Sequence, residues 1–377
     1  MINKLNRVIT NKNQNISVTY LGKRGAGAEF TVSLIKYFEK TARLHSAVVS
    51  SDIQADLDTS KYRRLPTPHK LSQLYKFPLF IYRSLNLRTI FVSKGSNKVI
   101  IPMASPTDIF LMVFYKFWGA KIVLVIHDLE HHMGDKWPKK NSVLKRIYLA
   151  DGICFLSNSI ADKYQYLLQT EKYPMRQHVV LSHPVFPSMN DKVSPIRNIY
   201  GPYVLVIGRV REYKGILPFL VAWKSRTIML DYKLIIAGEG KLETDRISDF
   251  IHDDVILINH WLTNEEFMHL IQNSKIVALP YLEATQSGVI PAARFFNKII
   301  LASDLEGLRE QLRDYPSRVL FSPMGDPLTI DEILIQCEGF IDSTPIEDSK
   351  AEGLSFDVFA KDLTKFIDEM EVNGAKP

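Results

Sequence analysis

The sequence predicts an α/β protein of two domains, each with a mostly parallel sheet that helices cover on both faces. Two observations lead to this prediction. Short apolar stretches alternate with segments of helical period along most of the chain, and the alternation restarts after an interruption rich in Pro, Asn and Ser, HPVFPSMNDKVSPIRNIYGP. The length of 377 residues agrees, because a domain of roughly 150 residues is usual.

The first half begins with a strand at Ile16, a glycine-containing turn and a helix. The helix is predicted from apolar residues at helical spacing, namely Phe30, Leu34, Ile35 and Phe38. The further predicted strands are SAVVSS, RTIFVS, KVIIPM, KIVLVIHD, DGICFLS and HVVLSHP, and the further helices are DIFLMVFYKFWG and the segment around NSVLKRIYLA. Apolar strands separated by helices indicate a parallel sheet with both faces buried.

The second half repeats this order, with strands YVLVIGR, YKLIIAGEG, DVILINHW, KIVALPY and KIILAS. Its predicted helices are KGILPFLVAWKS, a segment after YKLIIAGEG, NEEFMHLIQNS and VIPAARFF. We therefore predict Rossmann-like domains at residues 1–186 and 202–350, joined by a linker at 187–201. Open parallel sheets bind ligands at the carboxyl ends of their strands, so the expected site is the central cleft that the two sheets face.

A last helix is predicted within residues 351–377. Its apolar residues recur at helical spacing: Phe356, Phe359, Leu363, Phe366 and Ile367. We expect it to pack back on the body of the protein and to cross to the first domain.

The composition is that of a globular protein, with 46% hydrophobic and 23% charged residues. Cys154 and Cys337 both lie in apolar stretches, which indicates buried thiols and a reducing cytoplasm rather than a disulfide framework. No long apolar run is free of charge, and the first residues are polar. We expect a cytoplasmic protein without a signal peptide or a membrane span.

The net charge of +6 is uneven, because no acidic residue lies between Asp58 and Asp108. The basic residues there are Lys61, Arg63, Arg64, Lys70, Lys76, Arg83, Arg88, Lys94 and Lys98, and the aromatic residues among them are Tyr62, Tyr75, Phe77, Phe80 and Tyr82. This mixture fits an anionic membrane surface, where each basic residue contributes about 1 kcal/mol, and equally a solvated face of a basic protein. Nucleic acid is the least favoured partner, and we do not expect one.

Polar residues follow the predicted strands of the second half. Arg209 and Lys214 follow the first of these strands and precede a helix, where a guanidinium fork and an ammonium can clamp a diphosphate. The alternative is an ordinary surface charge cluster. Gly238 and Glu239 form a turn after the next strand, which permits close approach of a ligand but is also a common tight turn.

The stretch ALPYLEATQSGVIPAARFF contains a third strand exit. Its loop residues precede a helix, so their backbone N–H groups can face an anion or sugar hydroxyls; they are Thr285, Gln286, Ser287 and Gly288. Glu283 can accept hydrogen bonds from the same hydroxyls. The alternative is that Ser287 only caps the helix.

In the first half, the strand KIVLVI ends at His127 and Asp128, and His131 and His132 follow. The spacing lacks the helical HExxH arrangement and no cysteine is near, so we expect no metal. A histidine at a strand exit is better explained as a contact to substrate or leaving group. The glycines of GKRGAGAEF are not spaced as GxGxxG, so no nicotinamide cofactor is expected either.

Taken in order, VLVIGRVREYKG, KLIIAGEG, WLTNEEFMHLIQNSKIVALPYLEATQSG and KIILASDLEGLRE resemble the donor half of retaining glycosyltransferases of family 4, which have the GT-B fold. VIHDLEHHMGDKW resembles the His-Asp segment in the acceptor half of bacterial members that build surface polysaccharides. The resemblance implies a UDP- or GDP-linked sugar as co-substrate in the second domain and an acceptor held mainly by the first. It also implies transfer with retention of configuration, without a metal or other cofactor.

The resemblance assigns roles to matching positions. Arg209 and Lys214 match the diphosphate clamp, His127 matches a first-domain residue near the donor sugar, and Gly25 and Gly27 match a flexible loop near the donor phosphate and the acceptor. The predicted catalytic residues are His127, Arg209, Lys214 and Glu283. The predicted substrate-binding residues are Gly25, Gly27, Asp128, Gly238, Glu239, Thr285, Gln286, Ser287 and Gly288.

Glu283 matches the first of two family glutamates, which contacts the donor sugar. The second glutamate, eight positions later, usually binds the ribose, and here that position is Pro291, followed by Ala292 and Ala293. Three explanations are open. The TQSG loop and other groups take over the role of the second glutamate, or nucleotide binding is weak, or the chain has lost catalysis. We favour the first interpretation, because the diphosphate clamp and Glu283 remain together.

The resulting prediction is a hexosyltransferase-like enzyme that transfers a sugar to a saccharide acceptor in O-antigen, capsule or exopolysaccharide synthesis. A lipid-linked acceptor at the inner face of the cell membrane would explain the basic, aromatic segment. One alternative is a catalytically silent GT-B partner that binds sugar or nucleotide in a polysaccharide assembly complex. Another is a sugar-nucleotide epimerase, which would need a carboxylate-rich catalytic set that the sequence does not show.

Overall fold

The computed structural model describes residues 16–23, 25–53, 61–68, 71–88, 98–129, 131, 133, 139–170, 174–185, 201–228, 232–240, 254–322, 330–341 and 351–373. The predicted strand RTIFVS beyond Arg88, the linker before Gly201 and the predicted helix after YKLIIAGEG lie outside these residues, as do Lys70, Lys94 and His132.

The first domain contains seven described strands: β1 (Ile16–Tyr20), β2 (Leu44–Ser50), β3 (Tyr62–Leu65), β4 (Lys98–Ile101), β5 (Lys121–Ile126), β6 (Gly152–Phe155) and β7 (Gln177–Val180). They form one parallel sheet in the order β3-β2-β1-β4-β5-β6-β7. The described helices of this half are α1 (Ala26–Lys40), α2 (Phe77–Asn86), α3 (Asp108–Phe117), α4 (Lys140–Leu149) and α5 (Asn158–Thr170).

The second domain contains six described strands: β8 (Tyr203–Ile207), β9 (Lys233–Ala237), β10 (Val255–Ile258), β11 (Ile276–Leu279), β12 (Ile299–Ser303) and β13 (Arg318–Phe321). They also form a parallel sheet, in the order β10-β9-β8-β11-β12-β13. The helices that follow β8 are α6 (Ile216–Lys224), α7 (Asn264–Asn273), α8 (Val289–Phe295), α9 (Glu306–Leu312), α10 (Ile330–Ile341) and α11 (Phe356–Asn373).

Helices cover both faces of each sheet, so the central strands are buried along their whole length. All five residues of β1 and all five of β8 are buried, as parallel strands between two helical layers require. In the described part of the chain, four apolar clusters form the cores. The prediction of an α/β fold with two Rossmann-like domains is confirmed.

The last helix, α11, returns to the first domain. Its buried residues Phe356, Phe359, Leu363 and Ile367 belong to the same cluster as β1. Asp368 on this helix pairs with Arg43 at 2.7 Å and with Lys98 at 3.1 Å. The last helix therefore crosses back to the first domain, as predicted. Apolar burial and ion pairs both hold it there.

The basic segment, residues 61–98, is not one solvated surface. Tyr62 and Phe80 are buried in the first-domain core, and Lys98 is only 2% exposed. Interpreting these three as surface residues is therefore wrong, because β3, α2 and β4 point them inward. Arg63 and Arg64 are exposed on the edge strand β3.

The two cysteines, Cys154 and Cys337, are both buried free thiols, as predicted. Among the described helices, none is both long and apolar enough to cross a membrane.

Candidate functional site

A cavity of about 300 Å³ lies between the two domains, at the carboxyl ends of strands from both sheets. This volume is at the lower end of the range for small-molecule sites. The cavity brings together nine of the predicted site residues: His127, Asp128, Arg209, Lys214, Gly238, Glu239, Gln286, Ser287 and Gly288. They meet because parallel strands end at one edge of a sheet and the two edges face each other.

Two neutral histidines form part of the first-domain wall. The Nε2 atom of His127 is 3.0 Å from the carbonyl oxygen of Pro102 and must donate to it. Burial lowers the pKa of His127, although Asp128 opposes this effect. His183, which sequence analysis did not identify, lies with its ring centre 6.0 Å from that of His127.

Burial and the nearby His127 lower the pKa of His183 to about 3. Its Nδ1 atom is 3.1 Å from the carbonyl oxygen of Pro184. At neutral pH both imidazoles are therefore uncharged, and this wall can offer hydrogen bonds to a substrate without adding positive charge.

The second-domain wall supplies positive charge at the end of β8. Lys214 is only 9% exposed, its ammonium lies 3.8 Å from the ring centre of Tyr281, and it donates a hydrogen bond to the Tyr281 hydroxyl. Arg209 lines the same cavity but is exposed. A buried ammonium and an exposed guanidinium at one strand exit can bind a diphosphate from two sides.

Gly238 allows two strand exits of this wall to meet. Its φ of 140° is in the region that favours glycine, and a Cβ there would lie 2.0 Å from the carbonyl oxygen of Gly208. Any side chain at this position would therefore push apart the backbone segments that follow β8 and β9. These segments carry Arg209 and Glu239.

The two predicted glycines of the first loop have different surroundings. Gly25 has a φ of 127°, and a Cβ there would lie 3.1 Å from the ring of Trp261 in the second domain. Gly27 is inside α1, and a Cβ there would lie 2.4 Å from the Tyr20 hydroxyl. Gly25 therefore permits close approach of the domains, whereas Gly27 permits packing of α1 on β1.

Glu283 and Thr285 lie where the domains touch and are absent from the cavity lining in the described structure. The Glu283 carboxylate accepts a hydrogen bond from the backbone N–H of Met133. The Thr285 hydroxyl donates to Asp128 at 2.5 Å, and its carbonyl oxygen accepts from Ser157 at 3.0 Å. Contact of Glu283 with a donor sugar stays a prediction.

The loop before α8 presents one polar atom that needs a partner. The amide oxygen of Gln286 is buried and has no hydrogen-bond partner among the described residues. In contrast, the Ser287 N–H donates to Gln311 at 2.7 Å, and the Ser287 hydroxyl accepts from the N–H of Val289 at 3.3 Å. Gln286 can therefore accept from a ligand hydroxyl. The N-cap residue of α8 is Gly288, and Ser287 precedes it.

Pro291 is buried and lines a separate cavity between the domains, together with Arg294 and Gln311. In this structure the position that matches the second family glutamate does not line the central cavity.

Sequence analysis missed other residues of the cavity, among them Glu29, His183, Trp261 and Tyr281. Glu29 lies in the first turn of α1, lines the cavity together with Asn264 of the second domain, and has its pKa raised by burial. The one signal in the sequence that could have identified such residues was their position after a strand, because Trp261 follows β10 and Tyr281 follows β11. The contacts that these residues make across the cavity join distant parts of the chain.

His131, grouped with His127 and Asp128 in the sequence, is not part of the cavity lining. Within the described residues, no group of three His, Cys, Asp or Glu side chains could hold a metal ion.

Residues 201–337 match the family model "Glycosyl transferases group 1". No curated protein matches the sequence. Among solved structures, a glycosyltransferase from Rickettsia africae ESF-5 is similar with a TM-score of 0.68 and 14% identity, over 94% of this chain and 98% of that one.

Anabaena HepE, solved in complex with UDP and glucose, is similar with a TM-score of 0.63 and 15% identity, over 94% of this chain and 99% of that one. A UDP-GlcNAc 2-epimerase from Methanocaldococcus jannaschii is similar with a TM-score of 0.62 and 10% identity, over 94% and 99% of the two chains. At such identities the likeness establishes a shared fold, and a fold can carry different reactions. The chain has the GT-B fold, and its second domain carries the match to the group 1 glycosyl transferases, which supports glycosyl transfer.

Proposed function

We propose that this protein is a retaining, metal-independent glycosyltransferase that moves a sugar from a UDP- or GDP-linked donor to a saccharide acceptor. One observation carries the proposal: a single cavity places Lys214 and Arg209 of the second domain opposite His127 and Asp128 of the first. Retention and independence of a metal rest on the motif resemblance to family 4.

The two cations are the basis of catalysis in this proposal. When the bond between sugar and diphosphate breaks, negative charge grows on the diphosphate. Lys214 and Arg209 then bind the transition state more strongly than the ground state, which is the condition for rate acceleration. Because Lys214 is buried, its interaction with the diphosphate is less screened by water than that of a surface lysine.

The opposite wall would hold the sugar and the acceptor. His127 and His183 are neutral and Asp128 is fixed by the Thr285 hydroxyl, so this wall can form hydrogen bonds with hydroxyl groups in defined directions. Gln286 would accept a further hydroxyl with its buried amide oxygen. These groups replace the missing second glutamate only in part, since Asp128, the one carboxylate among them, belongs to the first domain.

We further propose a lipid-linked acceptor at the inner membrane face, as in O-antigen, capsule or exopolysaccharide synthesis. Support comes from an apolar face on α2 and α3, consisting of exposed residues Leu79, Tyr82, Leu85, Phe110, Val113 and Phe117. The two helices are neighbours, since the ring centres of Phe77 and Phe110 are 5.4 Å apart. Lys76, Arg83 and Arg88 lie on or beside α2, and this combination fits an anionic bilayer.

The second candidate is a catalytically silent partner that binds sugar or nucleotide. It is favoured by Pro291, which faces a different cavity, and by Glu283, whose carboxylate is bound to Met133. Turnover separates the two functions.

The test is release of nucleoside diphosphate from a panel of UDP- and GDP-sugars, with membrane extract as the source of acceptors. The transferase proposal expects release from one donor by the wild type and loss of release in Arg209→Ala. Arg211→Ala is the matched control, because Arg211 is two positions away and outside the cavity lining. Donor binding without release would favour the silent partner.

A further inference from the structure

Two strand exits of the second domain are joined beside the predicted diphosphate site. β8 leads into a turn with Tyr213 and Gly215, and β11 leads into Pro280 and Leu282. The Leu282 N–H donates to the Tyr213 carbonyl oxygen at 2.8 Å. Gly215 has a φ of 62°, and a Cβ there would lie 1.8 Å from the Pro280 carbonyl oxygen. The turn that carries Lys214 is therefore held against the end of β11 by its backbone.

The Lys214 ammonium lies near two aromatic rings, that of Tyr213 in the same turn and that of Tyr281 after β11. Its ammonium is 3.8 Å from the ring centre of Tyr281 and 5.4 Å from that of Tyr213, and it donates a hydrogen bond to the Tyr281 hydroxyl. The two rings meet edge to face, with centres 6.1 Å apart. Since a lysine side chain has four rotatable bonds, these contacts remove much of the freedom that binding an anion would otherwise remove.

The Tyr281 hydroxyl also lies 3.2 Å from the hydroxyl oxygen of Ser287, at the end of the loop that precedes α8. Tyr281 is 1% exposed, and its burial raises the pKa of the phenol, so it is neutral at neutral pH. A neutral phenol orients the ammonium without cancelling its charge, which a carboxylate in the same place would do.

We propose that Tyr281 is a positioning residue for the donor diphosphate, because its ring and hydroxyl hold the Lys214 ammonium and the Ser287 hydroxyl together at the cavity wall. This inference rests on the proposed function. It adds a residue to which the family resemblance gives no role, and it states how the lysine is oriented before the donor binds.

Tyr281→Phe tests the role of the hydroxyl, because the ring over the ammonium remains. We expect it to weaken the affinity for UDP or GDP about tenfold, and to leave the affinity for uridine or guanosine unchanged, since nucleosides lack the diphosphate. With a donor that turns over, kcat should fall more than KM rises, because the diphosphate charge grows in the transition state.

Two controls separate positioning from general loosening of the domain. Tyr203→Phe removes another buried hydroxyl of the same domain, which donates to the Leu270 carbonyl oxygen at 2.7 Å, and should change neither affinity. In a Lys214→Ala background, Tyr281→Phe should cause no further loss of diphosphate affinity, because Tyr281 acts through the lysine.

Isothermal titration calorimetry with UDP, GDP and the two nucleosides decides the matter. If the wild type binds a diphosphate, the inference alone is overturned when Tyr281→Phe binds it equally well, when nucleoside affinity falls by the same factor, or when the double variant shows full additivity. If the wild type binds neither diphosphate, the proposed function fails and this inference fails with it.

Discussion

Glu310 of the second domain caps the first turn of helix α5 in the first domain at Asn158. One carboxylate oxygen accepts hydrogen bonds from the backbone N–H and the side-chain amide of Asn158, both at 2.7 Å. The other oxygen accepts from the Ser159 N–H at 3.0 Å. A carboxylate at a helix N-terminus is stabilised by the unpaired N–H groups and the helix dipole, so this contact holds the two domains together beside the cleft.

Glu310→Gln should loosen the domains while each domain stays folded. Loss of the charge at the helix start should cost about 1 kcal/mol of domain association, and the donor KM should rise several-fold, because closure of the cleft then depends on the remaining contacts. Small-angle scattering should show a larger radius of gyration. Glu306→Gln, an exposed glutamate on the same helix α9, is the control, and an unchanged radius and KM in Glu310→Gln would contradict the assignment.

The buried histidines should make the fold sensitive to acid. The pKa of His183 is lowered from 6.5 to about 3 in the folded protein. Between these values the unfolded chain binds a proton that the folded chain does not, so the free energy of unfolding falls as the pH falls, by up to about 1.4 kcal/mol per pH unit. Above pH 6.5 both states are neutral and the contribution disappears.

His183→Gln should therefore flatten the dependence of stability on pH below this range. The measurement is urea denaturation of wild type and variant between about pH 4 and 7. Parallel curves for the two proteins would contradict this prediction, because they would show that folding leaves the pKa of His183 unchanged.

The apolar face of α2 and α3 predicts binding to anionic vesicles. Leu79→Ser with Tyr82→Ser should lower the partition onto vesicles that contain phosphatidylglycerol at least about tenfold, because both side chains are exposed and would insert. Sedimentation with vesicles at low and high salt measures this partition. Tyr166→Ser, at a tyrosine of α5 that is 65% exposed, should have no effect, and a wild type that ignores the vesicles at low salt contradicts the membrane proposal.

The buried ion pair of Asp108 and Arg146 should dominate the stability of the first domain. The Arg146 Nε atom donates to Asp108 at 2.7 Å, and both side chains are 0% exposed. Asp108→Ala leaves a buried guanidinium without its counter-charge and should cost about 3–5 kcal/mol. Calorimetry of the first-domain transition checks this, and Asp108→Leu with Arg146→Met should recover part of the loss. A cost below about 1 kcal/mol for Asp108→Ala would show that water reaches the site.

Sequence analysis succeeded where local pattern decides the structure. Phe30, Leu34 and Phe38 are buried in α1 because helical spacing places them on one face. His127, Arg209 and Lys214 reach one cavity because each follows a parallel strand, and topology brings strand ends together.

It failed where distant residues pair. Lys98 was assigned to a basic surface, yet its partner Asp368 lies 270 residues further along the chain. Tyr281 follows a strand like any core residue, and only the turn after β8, packed on it in three dimensions, makes it part of the site. The periodicity of apolar residues along the sequence does not indicate contacts between residues that are far apart in the chain.

A crystal structure of the protein with the nucleoside diphosphate that it binds would show which residues hold the diphosphate. We predict phosphate oxygens within hydrogen-bond distance of the Lys214 ammonium and the Arg209 guanidinium, in the cavity that His127 lines from the other domain. A diphosphate bound in the separate cavity beside Pro291 and Arg294, with Lys214 still hydrogen-bonded only to protein, would contradict it.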